Sequence, residues 1–228
     1  MAEIIPAVLA QNFSELNEKL SKFVNITKMV QIDICDGKFV PSVSWPLGKN
    51  NEESTERILD EEDGLPFWED LDFEFDLMVI NAHKKFDFFS RLGAKRMVFH
   101  LEGEEENSFK EFLESLDPYF KDNLEIGISI NTTTEISRID PFINHIDFVQ
   151  FMGIEKIGFQ GEPFDERVLV QIQDLRKKYP EIKISIDGSV NENTIEALIE
   201  KGADRLVIGS ALLQSYDIRE TFRYFESL

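Results

Sequence analysis

Three short stretches carry an aspartate towards the end of an apolar run: "VQIDICDG" with Asp33, "DFEFDLMV" with Asp76 and "KISIDGS" with Asp187. A carboxylate in such a run is costly unless something pairs with it. Alternate residues of a strand face opposite ways. Val30, Ile32 and Ile34 therefore share one face, and Gln31, Asp33 and Cys35 the other. Phe73, Phe75, Leu77 and Val79 oppose Glu74, Asp76 and Met78, and Ile182, Ile184 and Ile186 oppose Lys183, Ser185 and Asp187. If the apolar faces pack on helices, the three carboxylates converge from different strands and can reach opposite faces of one bound molecule. Like charges that close repel unless a cation or a proton intervenes. Taken singly, each aspartate reads as a helix cap or a solvated strand end; three in register favour function.

A second constellation lies near the other end of the chain. "GFQG" (Gly158, Phe159, Gln160, Gly161), "GS" (Gly188, Ser189) and "GSAL" (beginning Gly209, Ser210) each follow a short apolar run. Small residues let backbone N–H groups approach an anion. One glycine pair is usually only a turn, whereas three in consecutive loops suit a phosphate.

The elements that must position these groups alternate from end to end. Strands are expected at 4–9, 29–34, 73–79, 96–101, 125–130, 148–152, 182–187 and 205–208. Between them run amphipathic stretches, among them 164–179, with Val168, Leu169, Ile172 and Leu175 at helical spacing. Another helix is expected to be capped by Asn191 and ended by Gly202. "GAKRMVFH" (93–100) and "GADRLVIG" (202–209) form a weak repeat at two helix-to-strand junctions. Eight strand–helix units imply an α/β fold, a (β/α)8 TIM barrel spanning 1–228 as a single domain, with an open doubly wound sheet as the rival. In the barrel the three aspartates fall at the C-terminal mouth, and the loops after the last strands are the usual phosphate site. Residues 42–72, with "NNEESTERILDEEDG", read as an enlarged βα loop holding a helix at 52–59.

Composition limits the partners. The chain has 44 acidic and 24 basic residues, a formal charge of -20. It lacks the basic footprint that nucleic-acid binding needs, so an anionic substrate must be held locally, by backbone dipoles. The single cysteine, Cys35, fits a reducing, cytoplasmic setting. "MAEIIPAVLAQNF" has neither a basic n-region nor the length of a membrane span, and no membrane association is expected.

Together these residues resemble the ribulose-phosphate 3-epimerase family. "QIDICDGKFVPS" is similar to its H-x-D-x-M-D-G-x-F-V-P signature, "DLMV" to H-L-M-V, and "FHLEG" to F-H-x-E. "FMGIEKIGFQGEPF" resembles its glycine-rich loop with one extra residue, "SIDGSVNENTI" its D-G-G-V-N, and "GADRLVIGSAL" its G-A-D-x-x-V-x-G-S-A. The resemblance implies an isomerase that takes a proton from the carbon beside a ketose carbonyl and returns it on the other face, with Asp33 and Asp187 as the acid–base pair. It implies a small phosphorylated sugar as substrate, a homo-oligomer, and Met78 and Met152 lining the pocket. It also implies a divalent metal site at Gln31, Asp33, Asp76 and Asp187. Here Gln31 and Asp76 stand where the family has histidines, Ala7 replaces a pocket serine, and Cys35 a methionine. Oxygen donors suit Mg2+ or Mn2+ better than Zn2+, and a site without metal is the alternative.

Two other functions stay open: a phosphosugar binder that has lost its chemistry, and a barrel enzyme of different chemistry. Against the second, the related decarboxylases carry D-x-K-x-x-D on the third strand, where this chain reads "DLMVINAH". His100 reads equally as a substrate contact and as a hydrogen-bonded core residue, His83 and His145 as surface or helix-end residues, and "EGEEEN" (102–107) as a solvated loop. Cys35 reads as an inert core thiol. The 20 phenylalanines suit core packing with some left for a subunit interface.

Overall fold

The computed structural model describes residues 2–159 and 161–228. Eight strands, β1 (Glu3–Val8), β2 (Met29–Cys35), β3 (Asp72–Met78), β4 (Arg96–His100), β5 (Glu125–Ile130), β6 (Phe148–Met152), β7 (Lys183–Asp187) and β8 (Arg205–Ile208), pair in sequence order. All pairs are parallel, and β1 closes the barrel by pairing with both β2 and β8. The strands fall within a residue of their expected positions because each run is short and rich in β-branched or aromatic residues. Asp33 is the register partner of Asp76, and Met152 that of Asp187.

Val30, Ile32 and Ile34 pack outward, with Phe73, Phe75, Leu77, Ile184 and Ile186, into one core shared with the helices. Helix α1 (Phe13–Ser21) begins where the Asn12 side chain accepts from the Glu15 N–H. It buries Leu16 and Leu20 completely, which contributes roughly 2 kcal/mol each. Helix α2 (Glu52–Leu59) lies in the enlarged loop at its expected place. Four further helices, α3 (Phe86–Arg91), α4 (Glu106–Ser115), α5 (Pro118–Asn123) and α6 (Arg167–Lys178), lead to the last strands. Helix α6 starts later than the 164 expected, because Asp165 turns the chain by accepting from the Arg167 N–H. Helix α7 (Ile195–Lys201) ends at Gly202 as expected, at φ +106°. Its N-cap is Thr194 and not Asn191, whose side chain accepts from Asn193 N–H and shapes the preceding turn. Helices α8 (Ser210–Leu213) and α9 (Ile218–Glu226) complete the ring, and α9 buries Phe222 and Phe225.

The repeated Gly-Ala-x-Arg acquires a meaning here. Arg96 and Arg205 both turn into the barrel at its N-terminal end and share Glu3, at 3.1 Å each. Arg205 also reaches Glu125 at 2.6 Å and lies over the Phe148 ring, 4.8 Å from its centroid. Glu74, wholly buried beside Arg96 at 3.6 Å, is pushed up to about 7 by desolvation, with both arginines opposing.

Two smaller expectations are corrected. His83 is buried, not superficial: it packs against both Phe109 and Phe112 and bonds Glu104 and the Ser108 hydroxyl. Residues 102–107 are accordingly not all solvated, since Glu104 is buried against His83, and Glu102 accepts from Asn131 N–H and the Thr134 hydroxyl. Most phenylalanines pack in the core, and Phe159 is the one among the exposed large apolar side chains. Among the described residues, no helix is long and apolar enough to cross a membrane.

Candidate active site

The inward faces of β2, β3 and β7 bring Asp33, Asp76 and Asp187 together, with one carboxylate oxygen from each within 4.8 Å of the others. Gln31, two residues before Asp33 and so on the same face, donates from Nε2 to Asp33 Oδ1 at 2.9 Å and to Asp187 Oδ2 at 2.8 Å. Asp76 is wholly buried, and its Oδ1 pairs with His100 Nε2 at 2.9 Å and accepts from Gln150 at 3.3 Å. Asp76 Oδ2 and Gln31 Oε1 are buried without a partner among the described residues.

Three carboxylates this close set one another's proton affinity. Burial, and then the charges of Asp187 and Asp76, hold Asp33 well above the usual carboxylate range. Burial and Asp76 push Asp187 up to about 7, against the Gln31 hydrogen bond and the nearby His100. Burial disfavours a charge on His100, but the Asp76 carboxylate outweighs it and raises its pKa. Burial, with Asp33 and Asp76, pushes the Cys35 thiol up, so its neutral form is favoured.

A cavity of about 250 Å³ opens beside the pair. Asp33, Asp187, Met78 and Met152 line it, together with Gly158, Phe159, Gly161, Gly188, Ser189, Gly209 and Ser210. Gln160 lies outside the described residues. Gln31, Asp76 and His100 do not line the cavity but stand behind it, and His100 is the hydrogen-bonded core residue of its two readings.

The loops around the cavity are built for close approach. Gly158 has φ +85°, and a Cβ there would come within 2.5 Å of Val40. Gly188 at φ +106° leads into Ser189 at φ +52°, an unusual backbone for a residue with a side chain. Asn191 and Thr194 hold that turn, each donating to Ser189 C=O at 2.8 Å. Ser42 donates to Gly158 C=O at 2.5 Å, and the Ser189 hydroxyl to Glu162 C=O.

Some of these roles were not read from the residues. Gln150 carried a signal, as the one polar residue in "FVQFM", on the inward face of β6. Ser42 carried none, because a loop hydroxyl has no periodicity. Lys19, on α1, carried none either; it donates to Leu9 C=O and its charge bears on Asp33.

Residues 3–213 match the family described as Ribulose-phosphate 3 epimerase family. The ribulose-phosphate 3-epimerase of Schizosaccharomyces pombe is 26% identical over 96% of this chain and 90% of its own. That of Bacillus subtilis is 24% identical over 95% and 94%. Among solved structures, 3-keto-L-gulonate-6-phosphate decarboxylase from Vibrio cholerae O1 biovar El Tor superposes with a TM-score of 0.67 at 12% identity, over 99% of this chain and 96% of that one. That likeness concerns the fold alone.

Proposed function

The chain belongs to the ribulose-phosphate 3-epimerase family, and from that premise we propose that it epimerises a ketose phosphate, with Asp33 and Asp187 as its acid and base. The observation that carries the reading is the pair itself: two aspartates from non-adjacent strands, bridged through Gln31 and facing one small cavity. The ionised member takes the proton from the carbon beside the carbonyl. The protonated member delivers one to the opposite face. The pair must share one proton near neutral pH, and burial with mutual repulsion raises its proton affinity for that. The backbone N–H groups around Gly158, Gly188–Ser189 and Gly209–Ser210 hold the phosphate, which keeps the reacting carbon between the carboxylates. A binder without chemistry has no use for two such aspartates.

Three carboxylates, with an Asp76 oxygen that meets no partner among the described residues, suit one hard divalent cation, Mg2+ or Mn2+ rather than Zn2+. Asp33, Asp76 and Asp187 would hold it, and when bound it supplies positive charge that polarises the substrate carbonyl. The single buried thiol suits a reducing cytoplasm, and the reading includes a homo-oligomer, which sedimentation tests.

The test of function is proton NMR in D2O with ribulose 5-phosphate and other ketose phosphates. Loss of the proton signal beside the carbonyl, with appearance of the epimer, supports the reading. No exchange with any of them leaves the binder as the better one.

A further inference from the structure

Gln31 stands where the family resemblance implies a metal-ligating imidazole, yet it does not offer a lone pair to the aspartates. It offers hydrogens. Its Nε2 lies 2.9 Å from Asp33 Oδ1 and 2.8 Å from Asp187 Oδ2. The residue is wholly buried, and its Oε1 meets no protein donor among the described residues. Strands β2 and β7 do not pair, since β8 and β1 lie between them on one side of the ring. The amide therefore spans the barrel interior to join the two carboxylates that line the cavity.

Two buried carboxylates this close repel, and N–H donation to a charged oxygen is among the stronger hydrogen bonds. An amide nitrogen has two hydrogens, one for each aspartate. It can lessen the repulsion and fix the spacing of the pair, the two effects that a bound cation would have.

We propose that Gln31 is a positioning residue that clamps Asp33 to Asp187 in place of a cation, and that a cation enters the trio only by breaking this clamp. The inference deepens the function proposed above and rests on it for the consequence in turnover. Its consequence for metal binding needs no substrate, so the two can fail separately.

The test is Mn2+ titration of chelator-stripped protein at pH 8, read by the electron paramagnetic resonance signal of free Mn2+. Wild type is compared with Gln31→Met, close in volume but without donors, and with Gln31→Asn, whose amide is too short to span the pair. Circular dichroism checks that each is folded, and if Gln31→Met is not, Gln31→Asn decides. The clamp predicts that both variants bind Mn2+ more tightly, by about tenfold, because no hydrogen bonds to charged oxygens must be broken. Weaker binding would show that Gln31 is itself a ligand, and unchanged binding that it is a bystander; either overturns the proposal. In the epimerase assay, stripped wild type should retain turnover. Gln31→Met should lose kcat by about tenfold or more with KM little changed, because the substrate's phosphate contacts are untouched. Loss of turnover on stripping wild type would overturn the clamp as a substitute for the cation.

Discussion

Gln31 and Asp187 stand 156 residues apart in sequence and 2.8 Å apart inside the barrel. The contact is available only because the sheet closes, which turns the polar faces of β2 and β7 towards one another. A functional pair can therefore be assembled from strands that share no backbone hydrogen bond.

The glycine loops should govern affinity and leave the fold intact. Gly158→Val adds a side chain at φ +85° where even a Cβ would lie 2.5 Å from Val40, so the backbone at Gly158 must move. Calorimetry should show affinity for inorganic phosphate and for a ketose phosphate falling by about tenfold or more, with the far-ultraviolet circular dichroism unchanged. Wild-type affinity in this variant would remove the loop from the phosphate site.

Glu74 gives a pH dependence with a definite sign. Its pKa rises from an ordinary 4.5 to about 7 on folding, because burial disfavours its charge more than Arg96 and Arg205 favour it. The native state thus binds the extra proton, and Glu74's contribution is fully present below pH 4.5. It is lost as pH rises towards 7. Urea denaturation across pH 4.5–7 should show wild type losing roughly 2–3 kcal/mol more than Glu74→Gln over that window. Parallel profiles for the two proteins would show that Glu74 keeps its ordinary proton affinity when folded.

Arg205 should matter for stability and not for substrate. Arg205→Met removes one of the two arginine partners of Glu3 and Glu125, leaving Arg96 alone, and the cation over Phe148. A loss of roughly 2–4 kcal/mol is expected, since a buried cation that offsets this carboxylate cluster is lost at the closed end of the barrel. KM for a ketose phosphate should stay within about twofold, as the site lies at the other mouth. A large change in KM with the fold retained would tie this end to the site.

The fold was legible because each strand announced itself locally, as "FVQFM" and "RLVI" do, and because eight such runs with helices between them have few arrangements. The aspartates were legible through period two. What the residues could not disclose depends on closure. Gln31 reads equally as an oxygen ligand and as an N–H donor until its neighbours are known. His83 stood in a polar stretch, and only the fold of α4 brings Glu104, Ser108 and two phenylalanines around it. Asn191 had the residue type of a helix cap, but the turn at Ser189 uses its side chain first. In each case a local preference lost to a contact with a distant segment.

The measurement closest to the central claim is solvent-deuterium incorporation beside the carbonyl of the ketose phosphate that wild type epimerises, compared among wild type, Asp33→Asn and Asp187→Asn. If each aspartate serves one face of the substrate, as proposed, both variants should lose epimerisation by about a thousandfold. One of them should still exchange the proton on its own face without inverting the centre. Epimerisation at the wild-type rate in either variant would contradict the two-aspartate account.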